Sequence, residues 1–420
     1  MIENLKQSMF NVLVHNNNKF CVANTLTGAV MELDEVEFDS LKKNQLSYLE
    51  DNIKVLVDAG IVIDKALDEI ALLRNSYTHY KYNKKSARLT ISPTLECNFC
   101  CPYCYENRQC GAMDQNVQIE TITYIKSLIN KGISKIILIW YGGEPLLYPK
   151  IVKFISLEIE KLCRKNNVEF SNSMISNGYL IDEDIIEMFK LINLRTIQIT
   201  IDGLPDVHNQ RRKLITGEGT YDKIQNALKL LNDKNIYVKL RVNIDRSNFM
   251  QYNKVEEKFK YLKNIHCYPA LVTAEDNQSE KQKKDCINKG EYKEFFMRLS
   301  EKTGFHLKFE HLYSNGVCSC AAEHEYSAVI DHKGNIYKCI NDIGKEKYAV
   351  GSVLNKDKNN PAMIAKYMGR DPFTEDECCN CKYLPLCYGR CVWGYQRNGT
   401  HDCPAIKYLF HNIIEKEYLK

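Results

Sequence analysis

Ten of the eighteen cysteines fall into two blocks, and their spacing constrains this chain more than any other feature. Cys97, Cys101 and Cys104 form a Cys-x3-Cys-x2-Cys run. The second block runs Cys320, Gly334-x4-Cys339, Cys378-x2-Cys381-x5-Cys387-x3-Cys391 and Cys403. Thiolates at short fixed spacings hold iron–sulfur clusters or zinc. Three thiolates leave one corner of a cubane [4Fe–4S] cluster open to an outside ligand. Chemistry, as opposed to electron storage, requires such an opening.

The other properties of the chain narrow the setting. No apolar run approaches the roughly 18 residues of a membrane span. The start, Met1-Ile2-Glu3-Asn4, has no basic and then apolar leader. A cytoplasmic protein without a membrane partner is expected. In a reducing compartment so many thiols argue for metal and against disulfides. A net charge of +4 gives no case for a nucleic-acid partner. Cys21, Cys100, Cys110, Cys163, Cys267, Cys286 and Cys379, with Cys318 a further candidate, lie outside the blocks, and most read as small buried hydrophobes.

Three segments are expected. Residues 1–85 hold short apolar runs, Phe10–His15, Lys19–Asn24 and Gly28–Leu33, followed by helical periodicity over Glu35–Lys43, Tyr48–Ala59 and Leu67–Tyr80. Strands followed by helices make a winged-helix-like module. Residues 86–308 alternate regularly. Strands are expected at Leu89–Pro93, Lys135–Trp140, Glu169–Ser176, Thr196–Ile201, Tyr237–Asn243 and Cys267–Val272, with helices between them. Six such units build an α/β fold, a partial (β/α)6 barrel whose chemistry sits at the carboxyl ends of its strands. Cys97, Tyr141–Pro145, Asn177-Gly178 and Asp202-Gly203 all follow predicted strands. Asp276–Lys289 reads as a loop or lid. Residues 309–420 lose periodicity, so metal clusters stand in for a large apolar core.

The run Cys97-Asn98-Phe99-Cys100-Cys101-Pro102-Tyr103-Cys104, with Gly142-Gly143-Glu144-Pro145 after it, resembles the signature of the radical S-adenosylmethionine (SAM) superfamily. The resemblance implies that Cys97, Cys101 and Cys104 ligate three irons and that SAM chelates the fourth. Cleavage of SAM then gives a 5′-deoxyadenosyl radical. Gly142 and Gly143 would let backbone approach the methionyl amino group. Glu144 would accept from that ammonium, directly or by orienting the loop. Tyr103 would lie near the adenine. Asn177, Thr200, Asp202 and Arg212 resemble residues lining SAM, with Arg211 the rival of Arg212 for its carboxylate. Arg241 and Asn243 are lesser candidates, and Cys100 is a decoy beside true ligands.

The second block resembles a SPASM domain. That implies two auxiliary [4Fe–4S] clusters, three clusters in all. Cys378, Cys381, Cys387 and Cys403 would hold one. Cys320, Cys339 and Cys391 would hold three corners of the other, with Cys318 as its fourth ligand unless that iron stays open. The alternative for this segment is structural zinc.

Enzymes of this kind mostly modify peptides. Residues 1–85 resemble a precursor-peptide recognition element, which captures a leader by β-augmentation. The chain therefore resembles ribosomal-peptide maturases that form thioether or carbon–carbon crosslinks. A ribosomally made precursor peptide would be its partner, and a flavodoxin or ferredoxin its electron donor. The alternative is an anaerobic sulfatase-maturing, formylglycine-generating enzyme. Against it, Ile340-Asn341 follows Cys339 where such maturases resemble one another in placing a general-base Asp. Asp331, His332 and Asp342 are the nearby candidates for a base.

Overall fold

The computed structural model describes residues 2–49, 52–106, 108–272, 279–303, 320–355, 357–398 and 403–419. Cys318 lies outside the described residues. The amino-terminal strands are β1 (Leu5–Gln7), β2 (Asn11–Asn16), β3 (Lys19–Asn24), β4 (Val30–Leu33) and β5 (Val62–Asp64). β2, β3 and β4 form an antiparallel sheet, and β1 pairs antiparallel with β5. The helices here are α1 (Glu35–Lys43), α2 (Ile53–Asp58) and α3 (Glu69–Tyr82). A reciprocal cap between Asp34 and Glu37 starts α1, and the Asp68 side chain caps α3. The single helix expected over Tyr48–Ala59 is instead a 3₁₀ turn at Leu46–Leu49 followed by α2. Its apolar residues divide: Leu49, Ile53 and Leu56 pack in the amino-terminal core, while Val55 is 53% exposed.

The central sheet has nine strands in the order β11-β10-β9-β8-β7-β6-β12-β13-β14. Its parallel strands are β6 (Ala87–Ile91), β7 (Lys135–Trp140), β8 (Glu169–Ser176), β9 (Leu194–Ile201), β10 (Tyr237–Ile244) and β11 (Ile265–Leu271). Between them run α4 (Gln115–Asn130), α5 (Pro149–Lys165), α6 (Glu183–Leu191), α7 (Pro205–Arg211), α8 (Tyr221–Asp233) and α9 (Tyr252–Phe259). The sequence sets these boundaries. Asp114 and Asp182 cap α4 and α6, and Pro149 occupies the first turn of α5, where its missing N–H costs nothing. Apolar strand residues such as Ile136, Leu138, Ile197, Ile199 and Val242 pack against the helices in one continuous core. The mixed α/β expectation, a parallel sheet in a partial barrel, holds.

The sheet does not stop at residue 308. β12 (Ala328–Ile330) lies parallel to β6, with Ile330 opposite Ile91, and β13 (Asn335–Tyr337) and β14 (Gly351–Ser352) extend it antiparallel. The carboxyl-terminal segment is therefore built onto the barrel edge. Its apolar side chains also share cores with the amino-terminal unit. Val12, Val14, Cys21 and Ala23 pack with Leu409, Phe410, Ile413 and Ile414 of the carboxyl-terminal helix Ala405–Tyr418. Phe10, Leu73 and Tyr77 pack with Phe373, Leu384 and Tyr388. Within the expected loop Asp276–Lys289, Glu280–Asp285 is helical, because Ser279 and Gln282 cap it reciprocally. No helix of the described residues is long and apolar enough to cross a membrane.

Candidate active site

Parallel strands put their following loops on one edge, so the loops after β6, β7, β8, β9 and β10 meet there. The loop after β6 carries Cys97, Cys101 and Cys104. Its shape is fixed by backbone. Gly143 N donates to Thr94 O (3.2 Å) and Glu144 N to Glu96 O (2.8 Å). A Cβ on Gly143 would sit 2.0 Å from Glu96 O, and one on Gly142 (φ +120°) would sit 2.1 Å from Ser92 Oγ. The two glycines therefore let two loops touch, a reason the expected approach to a ligand did not include.

Glu144 is buried and its carboxylate is engaged by protein. One oxygen accepts from Ser176 Oγ (2.9 Å) and Leu146 N (3.0 Å), the other from Asn177 N (2.7 Å). Of the two roles expected for it, orienting the loop is the one its contacts serve. Burial pushes its pKa up to about 7 against the pull of these donors. Asn177 in turn donates to Asn98 Oδ1 (2.8 Å) and lies 3.9 Å from Cys97 Sγ.

The three thiols stand near enough for their charges to repel. Burial, then Glu144, then the other two thiols push Cys97 up to about 12. Burial and Glu106 push Cys104 up to about 11. Cys100 turns away. Its Sγ donates to Leu214 O (3.3 Å) and its N to Lys213 O (3.0 Å). The same stitching, with Ile215 N donating to Asn98 O (2.9 Å), carries Arg212 over the cysteine loop.

The two arginines differ sharply. Arg211 binds Asp202 (3.0 Å) and Asp245 (2.8 Å) and stacks over Tyr103 at 5.2 Å. Arg212, buried, donates to Tyr103 Oη (2.9 Å), makes no ion pair among the described residues and leaves its Nε without a partner. Asp202 Oδ1 and Glu106 Oε2 are likewise buried and unpartnered. Thr200, next to last in β9, lies at the same edge and is buried. Arg241 donates to Asn243 Oδ1 (2.7 Å) on β10. Sequence reasoning missed Tyr105, Glu106 and Tyr141, which join Oη to Oη and carboxyl to Oη beside Cys104. Their signal was position alone, next to the last thiol and the first glycine.

In the carboxyl-terminal segment Cys378, Cys381, Cys387 and Cys403 line one cavity. Burial and neighbouring charge push Cys378 up to about 12 and Cys387 to about 11. Cys320, Cys339 and Cys391 form a second group. Loss of solvent around the sulfur is the first cause of the raised pKa of Cys339, which is buried, and of Cys320 (about 11), which is exposed as a residue, and Cys391 adds repulsion to both. Asp342 accepts from Trp393 Nε1 (3.1 Å) and Tyr367 Oη. Asp331 accepts from Lys333 N, Asn335 N, Asn335 Nδ2 and Tyr337 Oη. Both carboxylates thus serve the fold. His332 keeps both ring nitrogens without partners. Among the described residues, no three His, Cys, Asp or Glu side chains close on a point as a single metal ion requires. The four thiols surround a space, as the ligands of a multi-iron cluster do. Grouped thiols, an arginine in no ion pair among the described residues and orphaned acceptors fit a thiolate-bound cluster with a carboxylate-bearing ligand beside it.

Residues 91–250 match the family model of the radical SAM superfamily. The chain is 24% identical over 381 residues to a cysteine-type anaerobic sulfatase-maturating enzyme of Clostridium novyi (strain NT), covering 79% of this chain and 96% of that protein. It is 22% identical to the radical SAM cyclopropyl synthase TigE of Paramaledivibacter caminithermalis, covering 99% of this chain and 96% of that protein. Among solved structures, anSMEcpe with bound AdoMet superposes with a TM-score of 0.59 at 21% identity, over 79% of this chain and 95% of that one.

Proposed function

For a chain that carries a radical SAM domain, and so is an enzyme working with SAM and a [4Fe–4S] cluster, we propose oxidative crosslinking of a ribosomally made precursor peptide. Bound at the barrel edge, cluster and SAM supply a 5′-deoxyadenosyl radical. The remaining work falls to side chains. Cys97, Cys101 and Cys104 hold the cluster. Arg212 takes the SAM carboxylate, and Tyr103 orients Arg212. Glu144 holds the loops after β7 and β8 in register. Thr200, Asn177 and Asp202 line the ribose side. Gly142 and Gly143 keep the loop close to the cysteines. One hydrogen atom of the peptide would leave on 5′-deoxyadenosine and one proton to solvent, and clusters held by the carboxyl-terminal thiols would take up the remaining electron. The new bond, a thioether or a carbon–carbon link, closes within the peptide.

The observation that carries this reading is the second thiol system. Four cysteines surround one cavity and three more converge nearby. That is ligand capacity for two auxiliary clusters, with Cys318 as the candidate eighth ligand. Coverage supports a peptide maturase over a sulfatase maturase: TigE matches 99% of the chain, whereas the sulfatase-maturating relative leaves about a fifth of it unmatched. The edge of the small amino-terminal sheet suits leader capture.

Sulfatase maturation is the second reading, because the relative from C. novyi carries that activity in its name. Its weakness here is the base. Asp342, the carboxylate nearest in sequence after Cys339, is committed to Tyr367 and Trp393. The deciding experiment incubates reconstituted enzyme anaerobically with SAM, reductant and candidate short precursor peptides. Loss of two hydrogens per modified site, absent in Cys97→Ala, is expected. An unmodified peptide, with SAM still cleaved and a sulfatase-type Cys peptide converted, would overturn crosslinking in favour of the second reading.

A further inference from the structure

We propose that Lys407 raises the reduction potential of the site formed by Cys378, Cys381, Cys387 and Cys403. This rests on the reading that those four thiols hold a [4Fe–4S] cluster. Lys407 sits in the first turn of the helix Ala405–Tyr418, four residues after Cys403. Its Nζ lies 3.6 Å from Cys403 Sγ as a hydrogen-bond donor. The same side chain lines the cavity that the four thiols surround. Among the described residues Lys407 pairs with no carboxylate, so its charge reaches the thiolates unneutralised.

Arg370 offers the contrast. It is close to Cys378, but Glu375 binds its Nε and Nη2 at 3.0 Å each, leaving a neutral pair. Glu377 lines the cavity as well, and its charge works against that of Lys407. Lys338, which precedes Cys339 at the other thiol group, spends its ammonium on the carbonyls of His324 (2.6 Å) and Ser327 (2.9 Å). A cation that donates to a ligand sulfur stabilises the reduced, more negative cluster and raises its potential. Lys407 is such a donor to Cys403, whereas at the other thiol group the charges of Arg88 and Lys338 act on Cys320 without a hydrogen bond from either to its sulfur among the described residues.

The test uses full-length protein with Cys97, Cys101 and Cys104 replaced by Ala, so that only the carboxyl-terminal sites take up iron. Iron and sulfide are counted, and an EPR-monitored redox titration is run on this background and on it with Lys407→Gln or Lys407→Arg. Two clusters with separate midpoints are expected. K407Q should lower one midpoint so that its reduced-to-oxidised ratio at fixed potential falls about tenfold, ~59 mV for a one-electron couple. K407R should restore it, and the other midpoint should not move. Unmoved midpoints in K407Q, or equal displacement in K407Q and K407R, would overturn the role of Lys407. Absence of cluster iron in the parent background would instead overturn the underlying cluster reading and the proposal with it.

Discussion

Arg211 and Arg212 are neighbours in the chain and are used oppositely. Arg211 is consumed by two aspartates, so replacing it breaks a buried ion network. Arg212 keeps its guanidinium free of carboxylates beside the three thiols. A charge-assisted bond from such a group contributes about 1.5–3 kcal/mol. Arg212→Lys should therefore weaken SAM binding roughly tenfold to a hundredfold, read by equilibrium dialysis, with little change in melting temperature. Arg211→Lys should lower the melting temperature first. Cysteine roles separate in the same way. Cys100→Ala should keep the iron of the barrel site, because that thiol donates to Leu214 O, whereas Cys101→Ala should lose it. Iron content and visible absorbance check both. Glu144 receives three donors, so Glu144→Gln turns an N–H against a backbone N–H. It should cost about 1–3 kcal/mol in a denaturant melt.

At the scale of elements, the contact between the loops after β6 and β7 decides whether the cysteines converge. Gly143→Ala forces a methyl onto Glu96 O, and the backbone must shift. Overpacking of this kind costs about 1–3 kcal/mol. The expected result is a folded sheet by circular dichroism with a barrel site that no longer retains iron. The strands themselves were legible because parallel strands buried on both faces read as continuous apolar runs, Lys135–Trp140 being the clearest. The residues of the site were legible where spacing carries chemistry: the thiols, the glycine pair and Asn177. Glu106, Tyr105 and Tyr141 were not, since a carboxyl or phenol two residues from a ligand has no pattern until the fold brings it inward. The helix at Glu280–Asp285 was readable from Ser279 and Gln282, and the run of lysines masked it.

At the scale of the molecule, the sequence suggests three segments in a row, and the packing ties the first to the last. Leu409, Phe410, Ile413 and Ile414 bury their side chains against β2 and β3, not against the barrel alone. Tyr77 on α3 donates to Glu323, three residues after Cys320, and Lys81 donates to Met368 O (2.6 Å) and Arg370 O (3.1 Å). Sequence could not show this, because pairing between residues about 400 positions apart leaves no local period. The amino-terminal unit is thus a wall of the segment that carries the carboxyl-terminal thiols. Removing residues 1–85 should expose that apolar helix face and strip the buried lysine and tyrosine from Glu323. Each large side chain uncovered forfeits about 1.5–3 kcal/mol of burial. The truncated chain 86–420 should therefore elute as aggregate in size-exclusion chromatography and retain less iron per chain than the full protein. A monomeric 86–420 with full iron content would show instead that the first segment is a dispensable peptide-binding appendage. Phe410→Ala in the intact chain separates the two causes: filling lost at this one seam should cost about 3–5 kcal/mol while leaving every thiol in place.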